Sequence, residues 1–473
     1  MMSTLLQRMK YIISDYVMCN IAWLLFLWVR FEMGENSHTI GYDSFGHYMR
    51  NPYVIAGQIA FPLIMLAIFW LSGYYNEVWR KSRVQEFFDT ITSVATGSIL
   101  VLLGALINDM VGEKIYNYAL LLWLVAIIFV CVYVPRLIIT GSISSKIKNR
   151  KISFPTLMIG TGEKAKEFAD KLNGQKLSTG YRIVGYVAIE GEESKVENGK
   201  IYTFDELDSV CSREQVAELV VVPTISDTAV LMATINKLYH LNLPIKISPD
   251  LQSILLSHVK ICDFLGDPLV DVSGSNMDES SKNIKRVIDI LVGGLALVAL
   301  SPLMLVIAAL IKRDSKGPVL YKQERIGLHN KPFKIIKFRS MYSDAERASG
   351  PRLSSEDDDR ITPVGHMLRK YRLDELPQFW NVFKGEMSLV GPRPERQYYI
   401  DQILERAPFY AILHQVRPGL TSMGMVKYGY AKNVDEMVER LKYDLLYMEN
   451  MSLMNDVKVI IYTIKTVVTG RGI

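Results

Sequence analysis

Cysteine is scarce in this chain: four residues in 473, at Cys19, Cys131, Cys211 and Cys262, widely scattered. No CxxC pair and no HExxH occurs, so neither a zinc site nor a disulfide framework is indicated, and the thiols read as unpaired groups in a reducing compartment. Charge of one sign is scarce as well. A formal net charge of +5 is too small to argue for a nucleic-acid partner, and none is expected. No small-residue cleavage site follows the first apolar stretch, so a removable signal peptide is not expected. Apolar residues are plentiful: they make up 49% of the chain, and the mean hydropathy is +0.14. At roughly 150 residues per domain the length suggests about three units.

The apolar excess is concentrated in the first third, in runs at residues 11–31, 53–71, 91–111 and 119–140. Each is close to the ~20 residues a helix needs to cross hydrocarbon. Arg8 and Lys10 precede the first run, Arg80, Lys81 and Arg83 separate the second from the third, and Lys146, Lys148, Arg150 and Lys151 follow the fourth. The other two loops carry only Arg50 and Lys114. Positive residues stay on the cytoplasmic side, so a four-helix transmembrane unit over residues 1–150 is expected with both ends in the cytoplasm. Asp15 and Asn20 lie inside the first run; interhelical hydrogen bonding is favoured over a polar pathway.

From residue 151 to about 275 the pattern changes to short apolar strands (156–159, 183–187, 219–222, 245–247) with a helical stretch at 229–240. Alternating strands and helices predict a Rossmann-like parallel α/β domain. Gly160, Gly162 and Ala165 have the spacing of a dinucleotide fingerprint. No clear acidic residue ends a second strand about 20 residues on, so a scaffold or dimerisation role is favoured over cofactor binding.

Residues 276–282 are polar and read as a linker to a third unit, 276–473. It opens with a fifth apolar run, 287–311. Lys282, Lys285 and Arg286 precede this run and Lys312, Arg313 and Lys316 follow it, so both ends favour the same side. Pro302 withholds an amide and clashes with the preceding turn. Ser301 can cover a freed carbonyl. A re-entrant helix over about 285–312, broken at Ser301-Pro302, satisfies both observations.

Residues 317–394 are dense in arginine, glycine, proline and acidic groups. Leu376, Phe379, Val382 and Phe383 recur at helical spacing and Gly385 suits a helix end, which places Asp374 and Glu375 at a helix start. Free amides and the dipole favour anions there. Two adjacent carboxylates can divide labour, one attacking and one holding a magnesium ion on a diphosphate. Nearby arginines suit phosphate.

The segments KRVID (285–289), SP (301–302), GP (317–318), QERIG (323–327), KFRSM (337–341), LDELPQ (373–378), MSLVGPRP (387–394) and PGLT (418–421) together resemble the bacterial sugar transferases, the polyprenyl-phosphate sugar-1-phosphate transferases. The whole chain resembles their large form: an integral membrane protein of α plus α/β class, with a four-helix transmembrane bundle, a Rossmann-like domain and a mostly helical catalytic domain. The resemblance implies Asp374 as nucleophile, Glu375 as the support for Mg2+, and Arg325, Arg339, Arg369 and Arg393 near the phosphates. It implies a UDP-sugar and polyprenyl (undecaprenyl) phosphate as substrates, the lipid bilayer and optionally a second copy (a homodimer) as partners, and the bacterial cytoplasmic membrane as location. It also implies a first step in capsule, exopolysaccharide or O-antigen synthesis. The family often continues PGxTG with Trp-Ala-Gln-Val, whereas this chain reads Thr421-Ser422-Met423-Gly424-Met425-Val426. Two rival readings are a membrane-anchored nucleotide-sugar dehydratase or epimerase, and a non-enzymatic polysaccharide assembly scaffold.

Overall fold

A computed structural model describes residues 4–36, 42–108, 114–175, 177–197, 199–223, 228–248, 270–271, 277–342 and 358–468. Cys262, residue 276 at the start of the expected linker and the end of the third apolar run (109–111) lie outside the described residues. The chain divides into two compact units: Met1–Ile152 with Asp278–Ile284, and Ser153–Met277 with Lys285–Ile473.

In the first unit the apolar runs form α1 (Thr4–Asn36), α2 (Pro52–Leu71), α3 (Arg83–Asn108) and α4 (Lys114–Lys148). Asn51 caps α2 by accepting from the Tyr53 amide at 2.8 Å, and Pro52 sits in the first turn, where its missing N–H is harmless. Among the described residues, Thr4–Met33, Pro52–Leu71 and Tyr118–Lys148 are long and apolar enough to cross a membrane. The expected run at 91–111 falls in α3. Ile59, Leu122 and Ile138 point out of the unit, 60–70% exposed, as side chains solvated by lipid would.

The polar residues of these helices bond across them. Asp15 accepts from Arg136 Nε at 3.0 Å and Nη2 at 2.6 Å, and from the Tyr75 hydroxyl at 2.7 Å. Arg136 also donates to Thr90 Oγ1 at 2.9 Å and lies over the Phe69 and Tyr74 rings. Asn20 accepts from Gln58 at 3.0 Å. Both residues therefore make the interhelical bonds favoured from the sequence.

In the second unit β1 (Phe154–Ile159), β2 (Tyr181–Val187), β3 (Ile201–Tyr202), β4 (Glu218–Val221), β5 (Ile245–Ile247) and β6 (Val270–Asp271) form one sheet in the order β3-β2-β1-β4-β5-β6. All pairs are parallel except β5–β6. The central strands are buried on both faces, as parallel strands under helices must be. Chain order reverses between β1 and β4, where such sheets open a crevice. There β1 runs into Gly160, at φ +125, whose Cβ position would lie 2.4 Å from the Val222 carbonyl, so only glycine fits. α5 (Glu163–Gly174) follows, with Ala165 fully buried. The loop is already engaged: the Thr161 amide donates to Glu192 Oε2 at 3.0 Å, and Glu192 comes from the segment after β2. An acidic residue does reach this loop, five positions beyond the strand end, and it spends itself on the chain's own amide.

The fifth apolar run forms α8 (Glu279–Ala299) and α9 (Ser301–Asp314), bent by 59° at the break; α6 (Leu207–Arg213) and α7 (Thr228–Leu238) lie earlier, among the sheet's crossovers. Pro302 has no amide to give the carbonyl four residues back, and Ser301 Oγ donates to that carbonyl, Val298 O, at 2.7 Å. The KRVID segment fastens α8 to the rest of its unit. Lys285 donates to Val390 O at 2.9 Å and pairs with Asp456, Arg286 donates to Val382 O at 2.8 Å, and Asp289 accepts from the Leu389 amide at 2.9 Å.

Candidate active site

The site rests on a hairpin, β7 (Leu320–Ile326) with β8 (Pro332–Phe338), and on the LDELPQ segment packed against β8. α10 (Pro363–Lys370) begins with Pro363 behind Thr362, whose hydroxyl accepts from the Gly365 amide at 3.0 Å. After α10, Arg372 takes the left-handed conformation at φ +53, which few non-glycine residues adopt. It turns the chain into a 3-10 turn, Leu373–Gln378, continued by α11 (Phe379–Lys384). Gly385, at φ +95, closes α11 with its amide on the Asn381 and Val382 carbonyls. The expected helix is thus two pieces, and the carboxylates lie in the first turn of the tighter piece. Asn381, fully buried, accepts from the Ile336 amide at 3.1 Å and donates to Lys334 O at 2.9 Å, fixing α11 to β8.

Asp374 and Glu375 are 7% and 6% exposed. Glu375 is surrounded by cations: Lys337 Nζ donates to Oε1 at 2.9 Å, Arg393 Nη1 lies 3.8 Å from Oε1, and Arg372 Nη1 lies 3.9 Å from Oε2. Burial pushes its carboxyl up, but Lys337, Arg372 and Arg393 outweigh burial and bring it down to about 2. Among the described residues Asp374 makes no hydrogen bond or ion pair. Burial, and then the negative charge of Glu375, push it up to about 6 against the pull of Lys337, Arg369 and Arg372. The pair is therefore divided into one carboxylate held by cations and kept charged at neutral pH, and one that has no partner among the described residues and is of raised basicity, a division of labour typical of active sites.

The four arginines named from the sequence part company. Arg369 donates from Nε to Ser340 Oγ at 2.9 Å, and its charge acts on Asp374. Arg393, in the loop after β9 (Ser388–Val390), reaches Glu375. Arg325 is bonded elsewhere: to Glu395 Oε2 at 3.0 Å, Pro394 O at 3.2 Å and Gln323 Oε1 at 2.8 Å. Arg339 is also engaged, donating to Ser315 O at 2.7 Å and Lys316 O at 2.8 Å, the carbonyls just past α9. Lys337, within the KFRSM segment, has no role predicted from the sequence. Nor have Arg372, Tyr430 and the acidic anchor Glu395, which holds Arg325 and, at 2.7 Å, Arg440 of the later helix Val434–Glu449. Glu395 directly follows GPRP, and that adjacency to two arginines was the available signal.

With this geometry in place, comparison with known proteins places residues 280–470 in a family described as bacterial sugar transferase. A protein of Caulobacter vibrioides named UDP-glucose:undecaprenyl-phosphate glucose-1-phosphate transferase is 40% identical over 189 residues, 39% of this chain and 70% of that protein. The chain belongs to the bacterial sugar transferase family. The exopolysaccharide production protein ExoY of Sinorhizobium fredii is 38% identical over 202 residues, 40% of this chain and 87% of that protein. A UDP-N-acetylgalactosamine-undecaprenyl-phosphate N-acetylgalactosaminephosphotransferase of Aeromonas hydrophila is 46% identical over 189 residues, 40% of this chain and 44% of that protein. The match covers 44%, 47% and 65% of three of the longer curated relatives, so the shared part runs from just under half to just under two thirds of their length. Residues 71–249 match a family described as CoA-binding domain.

Proposed function

We propose that this protein transfers a sugar-1-phosphate from a UDP-sugar to polyprenyl phosphate, releasing UMP, at the cytoplasmic face of the bacterial inner membrane. This would be the first membrane step of capsule, exopolysaccharide or O-antigen assembly. The observation that carries the reading is the split carboxylate pair inside the LDELPQ turn of a sugar transferase chain. A carboxylate raised to about 6 is ionised at neutral pH yet more basic than a solvated one, as a nucleophile requires.

The Asp374 carboxylate attacks the sugar-bearing phosphorus of the UDP-sugar. The bond from that phosphorus to the bridging oxygen breaks, UMP leaves with the electron pair, and a phosphosugar remains joined to Asp374 as an acyl phosphate. An oxygen of polyprenyl phosphate then attacks the same phosphorus, the bond to Asp374 breaks, and the carboxylate is restored. Arg369, Arg372, Arg393 and Lys337 line the carboxylates and would bind the diphosphate, stabilising charge as it shifts to UMP. Arg325 and Arg339 act behind this layer, Arg325 by holding Glu395 and the GPRP loop, Arg339 by closing the end of α9.

A magnesium ion fits these residues in one way. Among the described residues no group of three or more His, Cys, Asp or Glu is placed to hold a metal. One or two carboxylates plus substrate oxygens suffice for Mg2+, and the hard oxygens of Glu375 together with those of the diphosphate would supply that set. Glu375 would hold the ion with the diphosphate; when bound, the ion neutralises phosphate charge.

Three parts follow: a four-span membrane domain at 1–150, a Rossmann-like scaffold at 151–275, and a catalytic part at 276–473 with a re-entrant helix broken between α8 and α9, and a homodimer as the assembly. The relative covered at 87% shares about 200 residues with this chain, supporting a catalytic part of that size. A panel of UDP-sugars, assayed for UMP with and without polyprenyl phosphate, tests the reading. UMP from at least one donor supports it. A keto-sugar or epimerised product without UMP would replace it with the dehydratase or epimerase reading, and no change in any donor with the scaffold reading.

A further inference from the structure

Arg372 and Arg393 come from separate pieces of chain, one from the left-handed residue before the LDELPQ turn, the other from the loop after β9. They meet at Glu375, one near each carboxylate oxygen, at 3.9 and 3.8 Å. Two guanidinium groups on one carboxylate repel each other, and Lys337 adds a third positive charge. Among the described residues Arg372 has little else to hold it, for its Nε is buried without a hydrogen-bond partner there.

A third piece of chain completes the arrangement. Gly429, at φ +96, turns the backbone after the short helix Met423–Lys427, and Tyr430 follows. The Arg372 Cζ lies 5.2 Å and the Arg393 Cζ 5.1 Å from the centre of the Tyr430 ring. An aromatic face attracts cations at such distances, more strongly where water is excluded. One ring thus serves two guanidinium groups that face one carboxylate.

We propose that Tyr430 is a positioning residue whose ring gathers Arg372 and Arg393 into a paired clamp for the diphosphate of the nucleotide donor. This rests on the proposed transferase reading and adds a determinant of donor binding to it. The ring does the holding; the hydroxyl has no part in the reaction. A bound diphosphate takes the guanidinium edges while the ring keeps their planes in place, so losing the ring weakens donor binding more than it slows the step at Asp374.

The test uses the full chain in detergent, with UMP release from its best UDP-sugar and calorimetric binding of UDP. Tyr430→Phe should stay within about twofold of the parent in both. Tyr430→Leu should raise KM and weaken UDP binding about tenfold, the scale of one well-desolvated cation–π contact, with a smaller change in kcat. Should Tyr430→Leu not fold by thermal melting, Tyr430→Trp replaces it: a larger aromatic face must keep UDP binding within a few fold. In an Arg372→Met background, Tyr430→Leu should weaken UDP binding less than it does alone, because part of its work is already gone. Unchanged KM and UDP binding in Tyr430→Leu, equal damage by Tyr430→Phe, loss of binding in Tyr430→Trp, or full additivity with Arg372→Met would each overturn the proposal while leaving the transferase reading intact. No UMP from the parent protein with any donor would remove the reading itself.

Discussion

Replacing Asp374 with asparagine should stabilise the second unit and abolish its chemistry. Burial raises this carboxyl from 3.8 to about 6, so the folded state binds its proton more tightly than the unfolded chain does. For a group raised in this way, stability is fully present below the unfolded value of 3.8 and is lost as pH rises through about 6. Above pH 7 the ionised Asp374 therefore costs about 3 kcal/mol, taking about 1.4 kcal/mol for each tenfold change. Asparagine keeps the shape and removes the charge. At pH 8 the thermal midpoint in detergent should rise by several degrees; at about pH 3, below the unfolded value, where Asp374 is mostly protonated in both states, the gain should shrink towards zero. UMP release should fall about a thousandfold or more, the scale on which a lost nucleophile acts. In the parent protein turnover should decline as pH falls below about 6, when Asp374 takes up its proton. A mutant no more stable than its parent at pH 8 would refute the electrostatic account of Asp374, and a mutant with near-normal turnover would refute its role.

Glu375→Gln should do the opposite to stability. A carboxyl depressed from 4.5 to about 2 contributes stability above 4.5 that fades as pH falls towards 2, so the substitution should cost about 3 kcal/mol at pH 7, read by thermal melting, and should lower activity strongly. Chelation should silence the parent enzyme and added Mg2+ restore it; full turnover in excess chelator would remove the metal. Arg136→Leu should cost about 3–5 kcal/mol because it strands a buried Asp15, and adding Asp15→Asn should recover part of the loss in melting experiments. Tags at residues 276 and 473 should be labelled from the same, cytoplasmic side. Pro302→Leu should restore an amide to the α8–α9 junction and lower activity in cells by sending some chains across the membrane.

Features with a local physical cause were legible in the sequence. Pro302 removes one amide, Ser301 can satisfy the orphaned carbonyl, and the structure places that bond at Val298. Gly385 ends α11 as its lack of a side chain suggested, and the buried strands of the parallel sheet fell where apolar runs stand. What distance brings together was not legible. Arg136 sits inside an apolar run and gives no sign that Asp15, 121 positions away, neutralises it. Arg325 and Arg339 carry the same chemistry as Arg369 and Arg393, and only the fold shows that backbone carbonyls and Glu395 occupy them. Arg372 was hidden because its left-handed conformation runs against its residue type, and Tyr430 because it follows a stretch that departs from the family pattern. Glu192 was passed over because it stands beyond the strand end, where its reach to Thr161 depends on how the segment folds back.

The central claim is that Asp374 carries the phosphosugar between donor and acceptor. It is tested most directly by mixing the protein with its UDP-sugar in the absence of polyprenyl phosphate, quenching, and measuring the UMP formed and the mass of the peptide that contains Asp374. The account predicts a burst approaching one UMP per protein, a phosphosugar added to Asp374, and discharge of that adduct when polyprenyl phosphate is supplied. UMP that forms only when both substrates are present, with the Asp374 peptide unmodified throughout, would contradict it.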